Sequence, residues 1–322
     1  MAILLNDPGC ATYGGNTGTP GCAFNPGLIV GAMLVDKDKT FTITTAAAFI
    51  TEVQLMCLAG ASARAYPIYK FSEIEDKSTE PGFKELGYGN RQPTSDGKYD
   101  FIFKMTQGGH CHNNQLMKFN NDHSKRVIFF DENNMVIGTK TGATTMKGLE
   151  MEFFKAHPFK IATGKDAPSE FKVEFALAKP HELNQNIAYF DLGASPESSF
   201  QGLLDIEMYD TGLTSTAGVF HIGIRSICDK VNLYDSYSSL IVAHFSTIFT
   251  ATAGGTAANP TACALSPTVK GFALTFASAG VHIITMALPL TLAQTPNFIG
   301  AVGDVGFECL DTLSVTVIGT PS

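Results

Sequence analysis

The alternation of apolar and polar positions divides this chain into short extended segments and one well-patterned helix. Pro26–Val35 (PGLIVGAMLV) is a continuous apolar run, the mark of a strand buried on both faces, and Thr40–Thr44 (TFTIT) alternates. In TAAAFITEVQLMCLAG, residues Phe49, Val53, Met56 and Cys57 fall at i, i+4, i+7 and i+8, so one helical stripe should lie on a sheet. Thr44 or Thr45 is positioned to cap this helix, which runs to about Leu58 before Gly60. Extended segments resume at Tyr66–Phe71 and Tyr99–Met105, and Asn113–Asn121 reads as a second, short helix. Arg126–Phe130 and Met135–Lys140, joined by Asp131–Asn134, read as a β-hairpin.

Leu149–Phe154 and Phe171–Leu177 alternate cleanly and are joined by a loop through Pro158, Gly164 and Pro168. Leu149, Met151, Phe153, Phe171, Val173 and Phe175 would face one way, and Glu150, Glu152, Lys172 and Glu174 the other. That is the pattern of a half-buried antiparallel sheet. Leu203–Met208 reads as the last strand of this part. Two stretches lack such patterning. Residues 1–25 are dense in Gly, Pro, Thr and Asn and read as an N-terminal arm. Ser72–Gly97 reads as a long polar loop carrying Glu73, Glu75, Asp76, Glu80, Glu85 and Arg91, longer than ordinary connections and therefore a candidate inter-subunit element.

Beyond residue 210 the pattern predicts strands at Val219–Ile227, Leu240–Thr250, Val269–Ala277, Val281–Leu288 and Leu313–Ile318, with the third and fourth joined by a tight turn at Ser278–Gly280. Short strands at this spacing imply an immunoglobulin-like β-sandwich, though the chain has no Trp. The expected fold is mainly β: an antiparallel sandwich or barrel body over 26–210 with one flanking helix, then a C-terminal sandwich over 211–322.

Composition sharpens that division. Residues 211–322 hold three of the 22 Lys+Arg and five of the 30 Asp+Glu. Charged content of 16% lies below the usual quarter, which suits a surface partly covered by neighbours or an extracellular β-protein. A net charge of −8 without a basic run argues against a nucleic-acid grip. An acidic surface would instead let DNA slide past without sticking. No 18-residue apolar stretch occurs, so no membrane span is expected, and MAILLNDPGC does not read as a signal peptide. The seven cysteines are scattered without a CxxC pair. They are expected as reduced thiols of a cytoplasmic chain, with a Cys10–Cys22 bridge as the alternative.

Candidate chemistry is sparse. His110, Cys111, His112 and His123 come nearest to a metal set, but they lack finger spacing, and a polar helix start is expected there. His221, His244 and His282 fall on predicted strands as ordinary residues. No G-x-S-x-G elbow exists, and Gly138–Gly148 has the wrong spacing for a phosphate loop. Glu150 and Glu152 share a strand face and offer a carbohydrate-active enzyme as one alternative; a solvated sheet face is the expectation. No catalytic residue, metal or cofactor is expected.

The hairpin RVIFFDENNMVIGTK, the strands GLEMEFF and SEFKVEFAL, the early helix and the loop 72–97 together resemble tailed-phage virion proteins, in particular tail tube proteins. The stretch from RAYPIYKF to KYDFIFKM is also similar to structural proteins of phages of Bacteroidetes-like hosts. The resemblance covers about residues 25–208 and implies a sheet-on-sheet body with a flanking helix and long arms, non-enzymatic and resident in the virion. It further implies partners: other copies of itself in stacked rings, other virion proteins, and double-stranded DNA passing without specific binding. Glu150, Glu152, Lys172 and Glu174 would then be candidate channel-facing residues. A capsid decoration or glycan-binding adhesion protein is the rival within the same class.

Overall fold

The computed structural model describes residues 26–60, 62–86, 91–162, 169–213, 216–287, 306–309 and 311–318. The N-terminal arm 1–25, with Cys10 and Cys22, and the loop positions Gly164 and Pro168 lie outside the described residues. The chain divides into two units between Phe200 and Gln201. The first unit has strands β1 (Ile29–Asp36), β2 (Phe41–Thr42), β3 (Tyr66–Tyr69), β4 (Phe71–Asp76), β5 (Gly82–Glu85), β6 (Arg91–Ser95) and β7 (Asp100–Met105). It continues with β8 (Lys125–Asp131), β9 (Met135–Lys140), β10 (Thr145–Lys147), β11 (Leu149–Ala156), β12 (Phe171–Leu177) and β13 (Ile187–Asp191). Its helices are α1 (Ala46–Cys57), α2 (Gly109–Met117), α3 (Pro180–Asn184) and α4 (Pro196–Ser199).

The apolar runs of β1 and β8 pair antiparallel at the centre, with Ala32 opposite Phe129 and Leu34 opposite Val127. Both strands are covered on both faces, which is why they carry almost no polar alternation. Ala32, Leu34, Val127 and Phe129 face one core, shared with Phe103, Phe154, Phe171 and Phe175. Met33, Val35, Ile128 and Phe130 face a second core, completed by Phe49, Val53 and Cys57 of α1. The side chain of Thr45 accepts a hydrogen bond from the Ala48 amide and starts α1 as its cap.

The first core is the interior of a closed ring. Antiparallel ladders run from β1 to β8, β11, β12, β7 and β4. β3, one residue before β4, pairs back with β1 and closes the ring. The joint is Lys70, whose φ of 67° turns the chain from one partner strand to the other. A second crossing lies where the chain leaves β9 as β10 and joins β8 as β11. Gly148 sits at that step, and a Cβ there would lie 2.9 Å from the Arg126 Cβ. Outside the ring, β13, β10 and β2 extend the sheet from β9 under α1.

Several expectations change. The predicted loop Ser72–Gly97 contains three strands, β4, β5 and β6. Its pattern is hidden because a bulge between Phe71 and Glu73 breaks the period in β4, while β5 and β6 have no buried face. A second bulge between Met151 and Phe153 shifts the phase of β11, so Phe154 enters the core and Phe153 turns outward. The second helix starts earlier than expected, at Gly109, behind Gly108 in a left-handed conformation. Leu203–Met208 belongs to the second unit's sheet rather than to the body.

The second unit comprises β14 (Leu203–Asp210), β15 (Val219–Ser226), α5 (Tyr234–Ala243), α6 (Phe245–Ile248), β16 (Phe249–Ala253) and β17 (Thr256–Ala257). β18 (Ala262–Ser266), β19 (Gly271–Thr275), β20 (Gly280–Met286), β21 (Gly306–Glu308) and β22 (Leu313–Val317) follow. One sheet has the order β18-β19-β15-β14-β21 and the other β17-β16-β20-β22. Lettered in chain order with β21 set aside, these are D-E-B-A and C′-C-F-G, the immunoglobulin arrangement. β21 adds to the A strand in parallel. The core between the sheets holds Ile222, Ile224, Phe249, Phe272, Phe276, Ile284 and Val315.

Two predictions fail here for identifiable reasons. Leu240–Thr250 is helix before it is strand: Leu233, Tyr237, Leu240 and Ile241 follow helical spacing onto the core, and the chain becomes extended only at Phe249. β19 and β20 do not form a hairpin across Ser278–Gly280; they lie in opposite sheets. His282 of β20 is fully buried, and its Nε2 bonds the Ser278 carbonyl at 3.0 Å in the crossing.

Candidate functional site

The segment between β4 and β7 is a long two-stranded ribbon that leaves the barrel. The β4–β7 ladder continues through Lys77, whose amide donates to Asp100 O at 2.8 Å, and through reciprocal bonds between Thr79 and Lys98. It then becomes the β5–β6 pair, with Phe83 opposite Pro93, Lys84 opposite Gln92 and Glu85 opposite Arg91. Gly97 makes the close pass possible: its φ is 76°, and a Cβ there would sit 2.4 Å from Thr79 O. Every residue of β6 is exposed, as are Phe83 (60%) and Leu86 (44%). An isolated two-stranded ribbon is marginal in water, and this one presents a phenylalanine and, among the described residues, two edges with no neighbouring strand.

The six predicted loop residues separate into base and tip. Glu73 and Glu75 stand on the outward face of β4, and Asp76 accepts the Ser78 amide at 2.8 Å where the ribbon begins. Glu80 follows the Thr79–Lys98 bridge. Glu85 and Arg91 pair at 3.2 Å near the tip, both largely exposed.

The four predicted channel-facing residues are not equivalent. Lys172 and Glu174 share the outward face of the β4-β7-β12-β11 sheet with Lys104, Asp100, Glu73 and Glu75. Lys172 reaches Glu75 at 3.5 Å, Lys104 bonds Glu73, and Glu174 bonds His157 at 2.7 Å. Burial, then the charge and hydrogen bond of Glu174, push the Asp100 carboxyl above its ordinary range. Glu152 bonds Lys98 at 2.8 Å and so ties the ribbon's base to β11.

Glu150 is a joint rather than an open carboxylate. Arg126 Nη2 lies 2.6 Å from it and Lys179 Nζ 2.7 Å. Arg126 Nη1 also donates to Glu182 at 3.1 Å and to Gly148 O at 2.9 Å, while Glu182 accepts the Glu150 amide at 2.7 Å. The Lys179 hydrogen bond, helped by the Arg126 charge, lowers the pKa of Glu150 and holds it ionised. The sequence reading missed Arg126, although a lone arginine heading the apolar run VIFF was a signal that it needed a buried partner.

His110 and His112 lie in the first turn of α2, packed edge-on against Phe159 and Phe171. Among the described residues no cluster of His, Cys, Asp and Glu has metal-binding geometry. His244 follows α5 rather than lying on a strand. Cys57, Cys263 and Cys309 are free thiols, whereas Cys111 and Cys228 are disulfide-bonded, where reduced thiols, with a Cys10–Cys22 bridge as the alternative, were expected. A depression of about 290 Å³ is lined by Tyr69, Asp131, Glu132, Pro196 and Glu197 among others. Its groups hold the fold: Asp131 accepts the Gly27, Asn133 and Met135 amides, and the Tyr69 hydroxyl donates to Pro196 O.

No protein-family model matches this chain, and no curated protein sequence matches it. Among the described residues no helix is long and apolar enough to cross a membrane.

Proposed function

We propose that this chain is a structural subunit of a virion that assembles with copies of itself, of the kind that forms stacked rings around a DNA-conducting channel in a phage tail. The observation that carries the reading is the β5–β6 ribbon. It is anchored at its base by Glu152–Lys98 and by the β4–β7 ladder, and it offers exposed apolar side chains and open strand edges at its end. Strand addition onto a neighbouring body satisfies those edges and gives a head-to-tail contact, which closes into rings or extends into a tube. The outward sheet of the barrel suits a channel wall. Lys104 and Lys172 on it are paired with Glu73 and Glu75, and among the described residues it offers DNA no contiguous basic track.

Replacing residues 80–97 with a short turn in the full-length chain tests this. Rings or tubes should be lost while cooperative thermal unfolding of both units is kept. Unchanged assembly in that variant would refute the role of the ribbon. Removal of the sandwich, cut after Phe200 because β14 belongs to it, should leave assembly intact.

A further inference from the structure

The two edges of the β5–β6 ribbon are not equivalent, because Pro93 stands directly opposite Phe83. In an antiparallel ladder, pairs that exchange hydrogen bonds alternate with pairs whose backbone groups point away from the partner strand. Pro93 has no N–H to give Phe83, so this pair is of the second kind. The register from Phe83 to Glu85 is unbroken, so Glu85 opposite Arg91 is of the second kind too. The outer edge of β5 therefore offers the N–H and C=O of both Phe83 and Glu85. The outer edge of β6 offers those of Arg91, but at Pro93 it has a carbonyl alone, with the ring where a donor would be. No residue of either strand is buried.

We propose that the ribbon docks through the edge of β5 and not that of β6, adding β5 to an edge strand elsewhere on a second copy of the chain. The inference rests on the assembly proposed above and names the surface that carries it. A row of alternating N–H and C=O groups is matched only by another extended backbone. Pairing of β5 with β5 of a second copy is penalised in every register. An antiparallel pair centred on Lys84 sets the two Lys84 side chains opposite each other, and one centred on Glu85 does the same to Glu85. One centred on Phe83 sets Glu85 against Pro81, which has no N–H. Parallel pairing in register aligns both like charges at once. The contact is therefore heterologous, and it propagates from copy to copy instead of closing as a pair. Phe83, 60% exposed, then lies beside the incoming strand and is covered by an apolar neighbour on it.

Two prolines in the full-length chain separate the edges. Glu85→Pro and Arg91→Pro break the same exposed ion pair, but the first removes an outward N–H from β5 and the second removes one from β6. Glu85→Pro should raise the concentration at which rings or tubes form by about tenfold or more, read by sedimentation and negative-stain electron microscopy. Arg91→Pro should shift it by less than about twofold, and so should Glu85→Ala, which loses the ion pair and keeps the N–H. Thermal unfolding of both units should be unchanged in all three variants. An equal loss in the two prolines, or a larger one in Arg91→Pro, would overturn the choice of β5 and leave the ribbon's part in assembly standing. Assembly that ignores both prolines, yet is lost when residues 80–97 are replaced by a turn, would overturn strand addition at this edge. Assembly kept in that replacement too would refute the ribbon reading itself.

Discussion

The barrel and the sandwich each present a half-buried antiparallel sheet to solvent, and the two sheets are built alike on the inside. Phe103, Phe171 and Phe175 face inward in one; Phe249, Ile284 and Val315 face inward in the other. Outward they differ completely. The β4-β7-β12-β11 sheet is a ladder of cross-strand ion pairs, and the β16-β20-β22 sheet is threonine, valine, isoleucine and serine. The inward half of each pattern specifies a strand, and the outward half specifies what the sheet can meet. An ion-paired face resists close covering by protein, because its charges must be desolvated, whereas a neutral β-branched face invites it. The change in composition after residue 210 is this difference seen in one dimension.

The sharpest way to break the comparison is at Arg126, the buried cation that holds Glu150 and Glu182 together. Arg126→Ala should destabilise the first unit by about 3–5 kcal/mol in urea unfolding, because buried Glu182 loses its cation and half-buried Glu150 keeps only its lysines. The exposed Lys270–Asp235 pair of the sandwich provides the contrast, and Lys270→Ala should change stability by less than about 1 kcal/mol. The joint also sets an acid limit. The pKa of Glu150 is lowered in the folded state, so its contribution is complete above the ordinary value of 4.5 and is lost as pH falls through the lowered value. In Arg126→Ala that part of the acid sensitivity should shrink.

A smaller effect is expected at Asp100. Its folded pKa is raised, so the native state binds a proton more readily than the unfolded chain and loses stability as pH rises through the raised value. Asp100→Asn should therefore raise the unfolding midpoint by about 2 °C at pH 7, with no gain below pH 3.8, where the carboxyl is protonated in both states. The smallest effect belongs to the outward ladder. Glu73→Gln should cost about 0–1 kcal/mol at low salt, and nothing measurable once exposed charges are screened.

Much of the fold was readable from the pattern because most strands keep an unbroken period of two. Strand β12 follows that rule, helix α1 and its Thr45 cap were legible from a helical stripe instead, and the hairpin around Asp131 from two apolar runs joined by a polar turn. What escaped were places where one residue breaks the period or where burial does not set it. Bulges after Phe71 and Met151 reversed the parity beyond them, and the ribbon has no buried face to leave an alternating trace. Helix α5 hid in an apolar run whose spacing suits either state. Of the candidate site, the location of the long segment and of Lys172 and Glu174 on one sheet face was visible. The burial of Glu150 was not, because its partners Arg126, Lys179 and Glu182 lie 24, 29 and 32 residues away in sequence.

The most direct measurement is negative-stain electron microscopy of the purified full-length chain across a range of concentrations, beside the chain with residues 80–97 replaced by a turn. Rings or hollow tubes from the first and none from the second are the predicted result. Discrete particles of one or two chains at every concentration of the full-length protein, or tubes from both, would contradict ribbon-mediated self-assembly.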